Sequence, residues 1–365
     1  MKLEKQQKSS TLSVVIISVI AVVLSLLVSL IIVSIAGYSA WDILSDAFMS
    51  VYFTKSGTVG LLVYLTPIAM CALSVVVSAK AGLWNVGVEG QFVLGAIVAN
   101  GIGLFYGHLP AIVLIPLIFA GSFLAGGLLC MVSAIPRVYF GISEILTTIL
   151  VNSIIGFLLG YLSNLAWRDT SSTSPQTLEI SESARIQHIP GLGRVHWGAL
   201  VGIALVFGVW IFFRRSTMGF KFRAIGASTR GARYAGLNTT RLYLLVMFLS
   251  GAIAGLSGMF EVVGVAYRMR PGLAADFGLS GFVIAWVARL NPLVILIVSY
   301  LFAGLTVVGF KLQMSGLQSS IVLIIKGLIL FFILAGETFT YYKIVFPKRN
   351  PKLLKDESDQ GMEAV

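Results

Sequence analysis

Apolar runs of membrane-span length follow one another along most of this 365-residue chain. A run of about 20 apolar residues is what a helix needs to cross a bilayer, so the pattern restricts the chain to an all-α polytopic membrane protein. Composition agrees. Charged residues make up 11% and hydrophobic residues 57%, with a mean hydropathy of +0.94, whereas soluble domains carry about 25% charged residues. A net charge of +11 in a soluble protein would suggest nucleic acid. Here the cations cluster beside apolar runs, so they mark topology and contact with membrane lipid, and no nucleic-acid partner is expected.

The hydropathy pattern predicts about ten transmembrane helices. They fall near 11–36, 58–79, 88–106, 110–135, 143–167, 197–213, 242–265, 278–290, 292–313 and 318–340. The first follows Lys2, Lys5 and Lys8 and is far longer than a signal-peptide core of about 7–15 residues; an uncleaved anchor with a cytoplasmic N-terminus over 1–10 is expected. The transmembrane domain then covers 11–346, and a cytoplasmic tail follows over 347–365, with Lys348, Arg349, Lys352 and Lys355. Two long loops differ in charge. Residues 168–196 balance Arg168, Arg185 and Arg194 against Asp169, Glu179 and Glu182, whereas 214–241 carry seven cations and no acid. Positive loops resist translocation, so 168–196 is placed outside the cell and 214–241 in the cytoplasm.

Five spans precede the 168–196 loop and five follow it. An odd number per half makes related halves inverted repeats, an architecture common in transporters. Gly90-Gln91-Phe92 and Ser280-Gly281-Phe282 echo one another at the starts of the third and eighth spans. Small residues four apart mark close helix contacts in lipid. Ser250, Ala254 and Gly258, with Gly251 and Gly255 beside them, predict one packing row, and Gly156 with Gly160 a second. Cys71 and Cys130 lie in apolar segments as small packing residues.

Chemistry concentrates in two places. Within 82–99, Asn85, Glu89 and Gln91 stand among Gly82, Gly87 and Gly90, where helix should be continuing. Polar groups at membrane depth need a cavity or a partner, and glycines there suggest a broken helix. Either this break lines a translocation pathway, or it caps the third span at the cytoplasmic interface with Glu89 as an N-terminal acid; the residues leave both readings open. Glu144 sits at a span start, while Glu261 and Lys326 lie inside spans. The second place is GASTRGARYAGLN in the basic loop, which reads as a short helix offering a docking surface to a cytoplasmic partner.

These segments resemble the bacterial ABC importer permeases for sugars, nucleosides and branched-chain amino acids. GLWNVGVEGQFVLGAIVA resembles their N-x-G-x-E-G-Q segment. FRAIGASTRGARYAGLN followed by LSGAIAGLSGMFEVVG resembles the coupling element and the span after it, and GLSGFVIAWVARLNP and IIKGLILFFILAG the later spans. The match covers about 58–340, and it is most similar to the nucleoside permeases that work with a basic membrane lipoprotein. The resemblance implies a pathway-forming subunit of the cell membrane with no ATPase of its own, in keeping with the lack of a G-x-x-x-x-G-K-[ST] phosphate loop. ATP and Mg would be bound by a separate ATP-binding cassette subunit. A second homologous permease and an extracytoplasmic substrate-binding lipoprotein would complete the importer. By the same resemblance Arg223, Gly226, Arg230, Ala232, Ala235, Gly236 and Asn238 form the ATPase-coupling element, and Asn85, Glu89 and Gln91 match the polar segment.

Three positions depart from the family pattern: Lys326, where glutamine is frequent, Trp286, where a smaller aliphatic is usual, and Ser280, at a position often acidic. All three lie in spans that could line the pathway, so substrate identity is what the resemblance carries least far; by that resemblance alone nucleosides are the first expectation and simple sugars the second. Two other classes are weaker. A secondary transporter would need an ion site among Glu89, Glu144, Glu261 and Lys326. A metal-dependent membrane enzyme would have only His108, His188 and His196, in no recognised ligand spacing.

Overall fold

The computed structural model describes residues 2–5, 11–274 and 276–345. The tail expected over 347–365 lies outside the described residues, as do 1 and 6–10 of the expected N-terminal segment. Two compact units divide the chain, one of residues 1–37 with 327–365 and one of residues 38–326. The first contains α1 (Thr11–Ile35), the second half of α13 (Ser319–Tyr341) and a four-residue antiparallel pairing of β1 (Lys2–Lys5) with β2 (Tyr342–Val345).

The second unit holds α2 (Ala40–Tyr52), α3 (Lys55–Ala79), α4 (Val88–Phe105), α5 (Ala111–Phe140), α6 (Glu144–Tyr161), α7 (Gly198–Arg215), α8 (Thr217–Ala227), α9 (Thr229–Tyr234), α10 (Thr239–Glu261), α11 (Phe277–Val287), α12 (Pro292–Met314) and the start of α13. Among the described residues eight helices are long and apolar enough to cross a membrane, and Val23–Ile35 and Phe277–Val287 are shorter apolar helices. The protein is a multi-pass membrane protein. Helix starts follow local chemistry: Thr54, Ser216, Ser228 and Asn238 each accept a backbone N–H of the first turn on the side-chain oxygen, and Pro292 occupies the first turn of α12.

Burial separates core from periphery. In the most apolar 18 residues of α3, α4 and α10, 72%, 67% and 72% are buried, against 28%, 22% and 28% in α5, α6 and α7. The central helices also exchange partners. α3, the second span of the first half, packs mainly on α10, α11 and α12, and α10, its counterpart, mainly on α3, α4 and α5. Two related halves of inverted topology would pack in this reciprocal way.

The α10 row closes this core as its small residues predict. A Cβ on Gly255 would collide with the Ser122 carbonyl and crowd Gly126, one on Gly258 would collide with the Phe92 carbonyl, and one on Gly95 with Gly255. Backbones therefore touch directly. Gly156 and Gly160 do not make the second row: a Cβ on either meets open space, because the inner face of α6 presents Thr148, Ile155 and Leu159 instead.

Other differences have local causes. α2 was not anticipated, because 13 residues are too few to span; Ala40, Leu44, Ala47 and Val51 form its buried stripe. α11 stops at Val287 rather than near 290, because Arg289 and Leu290 take left-handed backbone with φ 50 and 55. The basic loop contains two helices rather than one, separated at Ser228.

The 168–196 loop is pinned to the chain after α10. N–H groups of Thr177, Ile180 and Ile186 donate to Met269, Tyr267 and Val263, and Arg268 pairs with Glu179 at 3.3 Å. His188 lies 3.0 Å from the Tyr267 hydroxyl. His196 is 2% exposed, packed on Phe260 and Gly264, and burial, then His188, lowers its pKa to about 4.

Two outcomes are expected. Gly255→Leu should lower thermal stability in detergent by at least the roughly 1–3 kcal/mol typical of overpacking, whereas Gly156→Leu should leave it unchanged. For His196 the opened loop binds the proton more readily than the docked loop. Docking is thus strongest above about pH 6.5 and weakens as pH falls towards 4. Hydrogen exchange over 186–197, corrected for intrinsic rates, should rise on acidification, and His196→Leu should abolish that rise.

Candidate substrate pathway and coupling surface

Eight residues, Lys80 to Gly87, separate α3 from α4, and α6 supplies hydrogen-bond partners to this break and to the first turn of α4. The Trp84 N–H donates to Glu144 Oε1 at 3.2 Å. The Gly90 N–H donates to Asn152 Oδ1 at 2.7 Å, and Asn152 Nδ2 returns a bond to the Val86 carbonyl at 3.1 Å. Glu144 is itself paired with Arg137 at 3.3 Å. Asn152 gave no sign in the sequence; an asparagine inside an apolar run is the only clue it offers.

Asn85 and Gln91 face each other across the break. Asn85 Nδ2 donates to Gln91 Oε1 (2.7 Å) and to Ser250 Oγ (2.9 Å), while Asn85 Oδ1 accepts from Gln91 Nε2 (2.9 Å) and the Gly87 N–H (3.1 Å). That uses every donor and acceptor of the asparagine amide. Ser250 continues the chain of bonds to α3, donating to the Ser74 carbonyl at 2.7 Å. Asn85 is 0% and Gln91 1% exposed, so both are committed to holding the break closed.

Glu89, in the first turn of α4, is only partly buried. Gly87 lies against Thr148 and Gly90 against Asn152, which sets Glu89 one to two turns beyond Glu144 along α6, about 6–12 Å inside its end. The start of α11 meets it there, since a Cβ on Gly278 would lie 2.6 Å from the Glu89 Cβ. The two half-buried helix starts therefore abut. Asp276, at the N-cap of α11 with φ 60 and two residues before Gly278, lies 3.9 Å from Lys326 Nζ.

Aromatic rings wall this junction. Phe277 packs edge-on to Tyr64 (6.0 Å) and Phe92 (5.6 Å), and Tyr64 meets Phe310 at 5.5 Å. Further along α11, Trp286 stacks on Trp84 at 4.8 Å with planes 5° apart, and Phe282 meets Trp84 at 6.1 Å. Ser280 is buried in the first turns of α11, and its N–H donates to the Asp276 carbonyl. The structure thus brings Glu89 and Lys326 together through Asp276, sets Trp286 at a separate stack, and leaves Asn85 and Gln91 behind the wall. Sequence reasoning missed Asp276, Tyr64 and Phe277. An acid just ahead of a short glycine-bearing apolar helix, the pattern Glu89 also shows, was the available signal.

The predicted coupling residues divide by role. Phe222 and Ile225 anchor α8 at 0% and 1% exposure, and Gly226 rests on the Lys80–Ala81 backbone, where a Cβ would collide with the Lys80 carbonyl. Ala232 is buried under α9. Gly236, at φ 78, lets the chain turn so that the Leu237 N–H reaches the Ala232 carbonyl at 3.0 Å, and Asn238 caps α10. Arg223, Arg230 and Ala235 are exposed, together with Tyr234 at 94%, which had not been singled out.

Residues 57–334 match the family described as the permease component of the branched-chain amino acid transport system. The chain belongs to this permease family. It is similar to the glucose ABC transporter permease protein TsgB13 of Haloferax volcanii, 29% identical over 81% of this chain and 81% of that protein. It is also similar to the guanosine ABC transporter permease protein NupP of Bacillus subtilis, 28% identical over 90% of this chain and 96% of that one. The nucleoside ABC transporter permease protein NupB of Lactococcus lactis is 28% identical over 87% and 90%. The permease is thus an ABC transport component, of a kind that works with ATPase and substrate-binding partners.

If Asn85 and Asn152 hold the break as described, Asn85→Ala and Asn152→Ala should each destabilise the permease by about 1–3 kcal/mol, through buried groups left unpaired. Glu89→Gln removes a partly buried charge beside Asp276 and should not lower the melting temperature. Thermal unfolding of the three variants in detergent checks this.

Proposed function

We propose that this permease forms the pathway for nucleosides in an ABC importer, with simple sugars as the second reading. The observation that carries the proposal is the junction of α4 and α11, where Glu89, Asp276 and Lys326 gather beside the ring wall of Tyr64, Phe277 and Phe310. Aromatic faces suit a flat, polar, uncharged base. The two carboxylates suit hydroxyl and ring N–H donors, and Lys326 suits a carbonyl or ring nitrogen. Relatives named for guanosine and nucleosides support this reading, and a relative named for glucose supports the sugar alternative.

In this reading an ATP-binding cassette subunit, which holds ATP and Mg, docks on Arg223, Arg230, Tyr234 and Ala235, and this chain contributes no cofactor or catalytic residue. A second homologous permease completes the channel and an extracytoplasmic lipoprotein delivers substrate. The charge asymmetry between 168–196 and 214–241 supports a bacterial cytoplasmic-membrane orientation with the 168–196 loop outside and both termini in the cytoplasm. Closure of the ATPase moves α8, and rocking of the bundles alternates access to the junction.

The test is reconstitution of the whole importer in liposomes. Nucleosides, and not ribose or glucose, should drive ATP-dependent uptake; uptake of sugar alone selects the second reading. Asp276→Asn and Glu89→Gln should each lower uptake about ten- to a hundredfold, the worth of one charge-assisted bond, with the ATPase still co-purifying. Arg230→Glu should instead lose the ATPase. Unchanged uptake in both carboxylate variants would remove the junction from the pathway.

A further inference from the structure

A polar cleft of about 420 Å³ opens on the face that carries the coupling helices, between the end of α3, the end of α7, α8 and the α11–α12 turn. Ligand pockets span about 300–1,000 Å³. Lys80, Arg214, Arg223 and Arg289 line it, and none of its lining residues is an acid. Aromatic rings back two of these cations: Arg214 lies 5.1 Å over Trp210, and Lys80 lies 5.4 Å over Phe213. At Arg289 and Leu290 two consecutive left-handed residues, with φ 50 and 55, carry the turn that contributes Arg289.

Positive-inside topology accounts for cations on this face. It does not account for four of them, drawn from four separate elements, converging on one hollow. Like charges at close range repel, and burial, followed by Arg223, holds the Lys80 ammonium below the usual lysine range. An anion in the cleft would reverse that repulsion. A phosphate group fits best: its oxygens accept several charge-assisted bonds at once, and guanidinium forks match its geometry. Trp210, one turn before Arg214, and Phe213, next to it, stand at the basic end of an apolar helix and place the hollow at the level where membrane interfaces collect aromatic and basic side chains.

We propose that this cleft is a phosphate-binding site at the cytoplasmic surface of the membrane, filled by an anionic phospholipid headgroup or by a soluble phosphate. The bound group ties α8 to the end of α3 and to the α11–α12 turn, so it stiffens the contact through which α8 reaches the break before α4. This assignment does not depend on which substrate the permease carries.

The test uses the full chain purified with whatever subunits accompany it. Thermal stability is compared in nanodiscs of phosphatidylcholine alone and of phosphatidylcholine with phosphatidylglycerol, and separately in detergent with inorganic phosphate. Native mass spectrometry counts retained phosphatidylglycerol. A phosphatidylglycerol-dependent rise with retained lipid identifies the lipid source, and a rise with inorganic phosphate alone identifies the soluble one; either supports the site. Lys80→Gln and Arg214→Gln should each weaken the effect about tenfold or more, Arg214→Lys less, and Arg215→Gln, outside the cleft, not at all. No stabilisation by either anion, or an equal loss in Arg215→Gln, overturns the proposal and leaves the cations to topology or to an acidic segment of a partner protein.

Discussion

Inside a bilayer a backbone that leaves its helix must find hydrogen-bond partners within the protein, since lipid offers none. This constraint governs the permease at the break between α3 and α4. Asn85, Glu144 and Asn152 supply those partners, and Gln91 holds the Asn85 amide in place. Ser250 joins the clasp to α10, and Ser74 joins it to α3. The break is therefore held by the same helices whose backbones touch at Gly95, Gly255 and Gly258. Close packing and polar satisfaction depend on each other here: a side chain at Gly258 would push α4 away and strand the amides that begin it.

That arrangement frees Glu89. Because Asn85 and Gln91 are buried and bonded to one another, the remaining polar group of the N-x-G-x-E-G-Q segment is the one left facing the start of α11. Asp276, just ahead of that helix, lies 3.9 Å from Lys326 Nζ. Two acids at adjoining helix starts are tolerable because each helix N-terminus carries a partial positive charge and Lys326 adds a full one. The junction is thus a charge-compensated polar site, open on its Asp276 side, of the kind the proposed pathway for a neutral polar molecule needs.

Much of this was legible in the sequence, for identifiable reasons. Span positions follow from hydropathy, and all ten predicted spans coincide with helices to within a few residues. The α10 glycine row was readable because its spacing maps directly to one helix face. Gly156 and Gly160 share that spacing and pack on nothing in this chain; spacing names a face but not what covers it. α2 escaped because its stripe is too short for a span criterion. Asp276 escaped because its meaning comes from Lys326, fifty residues away, and from Glu89 on another helix. In the polar segment the residue types were right, yet which of the three would be consumed by structure depended on Ser250 and Asn152, whose positions no local pattern states.

If α8 and α9 form the proposed ATPase-docking surface, the remaining question is how a contact there can reach the junction. α8 is seated by Phe222 and Ile225 and touches the turn after α3 through glycine on glycine: a Cβ at Gly82 would stand 3.3 Å from the Gly226 Cα, and one at Gly226 would strike the Lys80 carbonyl. No side chain intervenes to absorb a displacement by changing rotamer. Gly82, at φ 76, opens directly into Leu83–Gly87, the segment that leads into α4, where Glu89 stands in the first turn. A shift of α8 along its axis is then passed by backbone contact to the break and, through the clasp at Asn85, to the start of α4. Stiff interfaces of this kind move between discrete packings instead of deforming gradually, which is the property a pump needs to keep ATP-driven motion and substrate access in step.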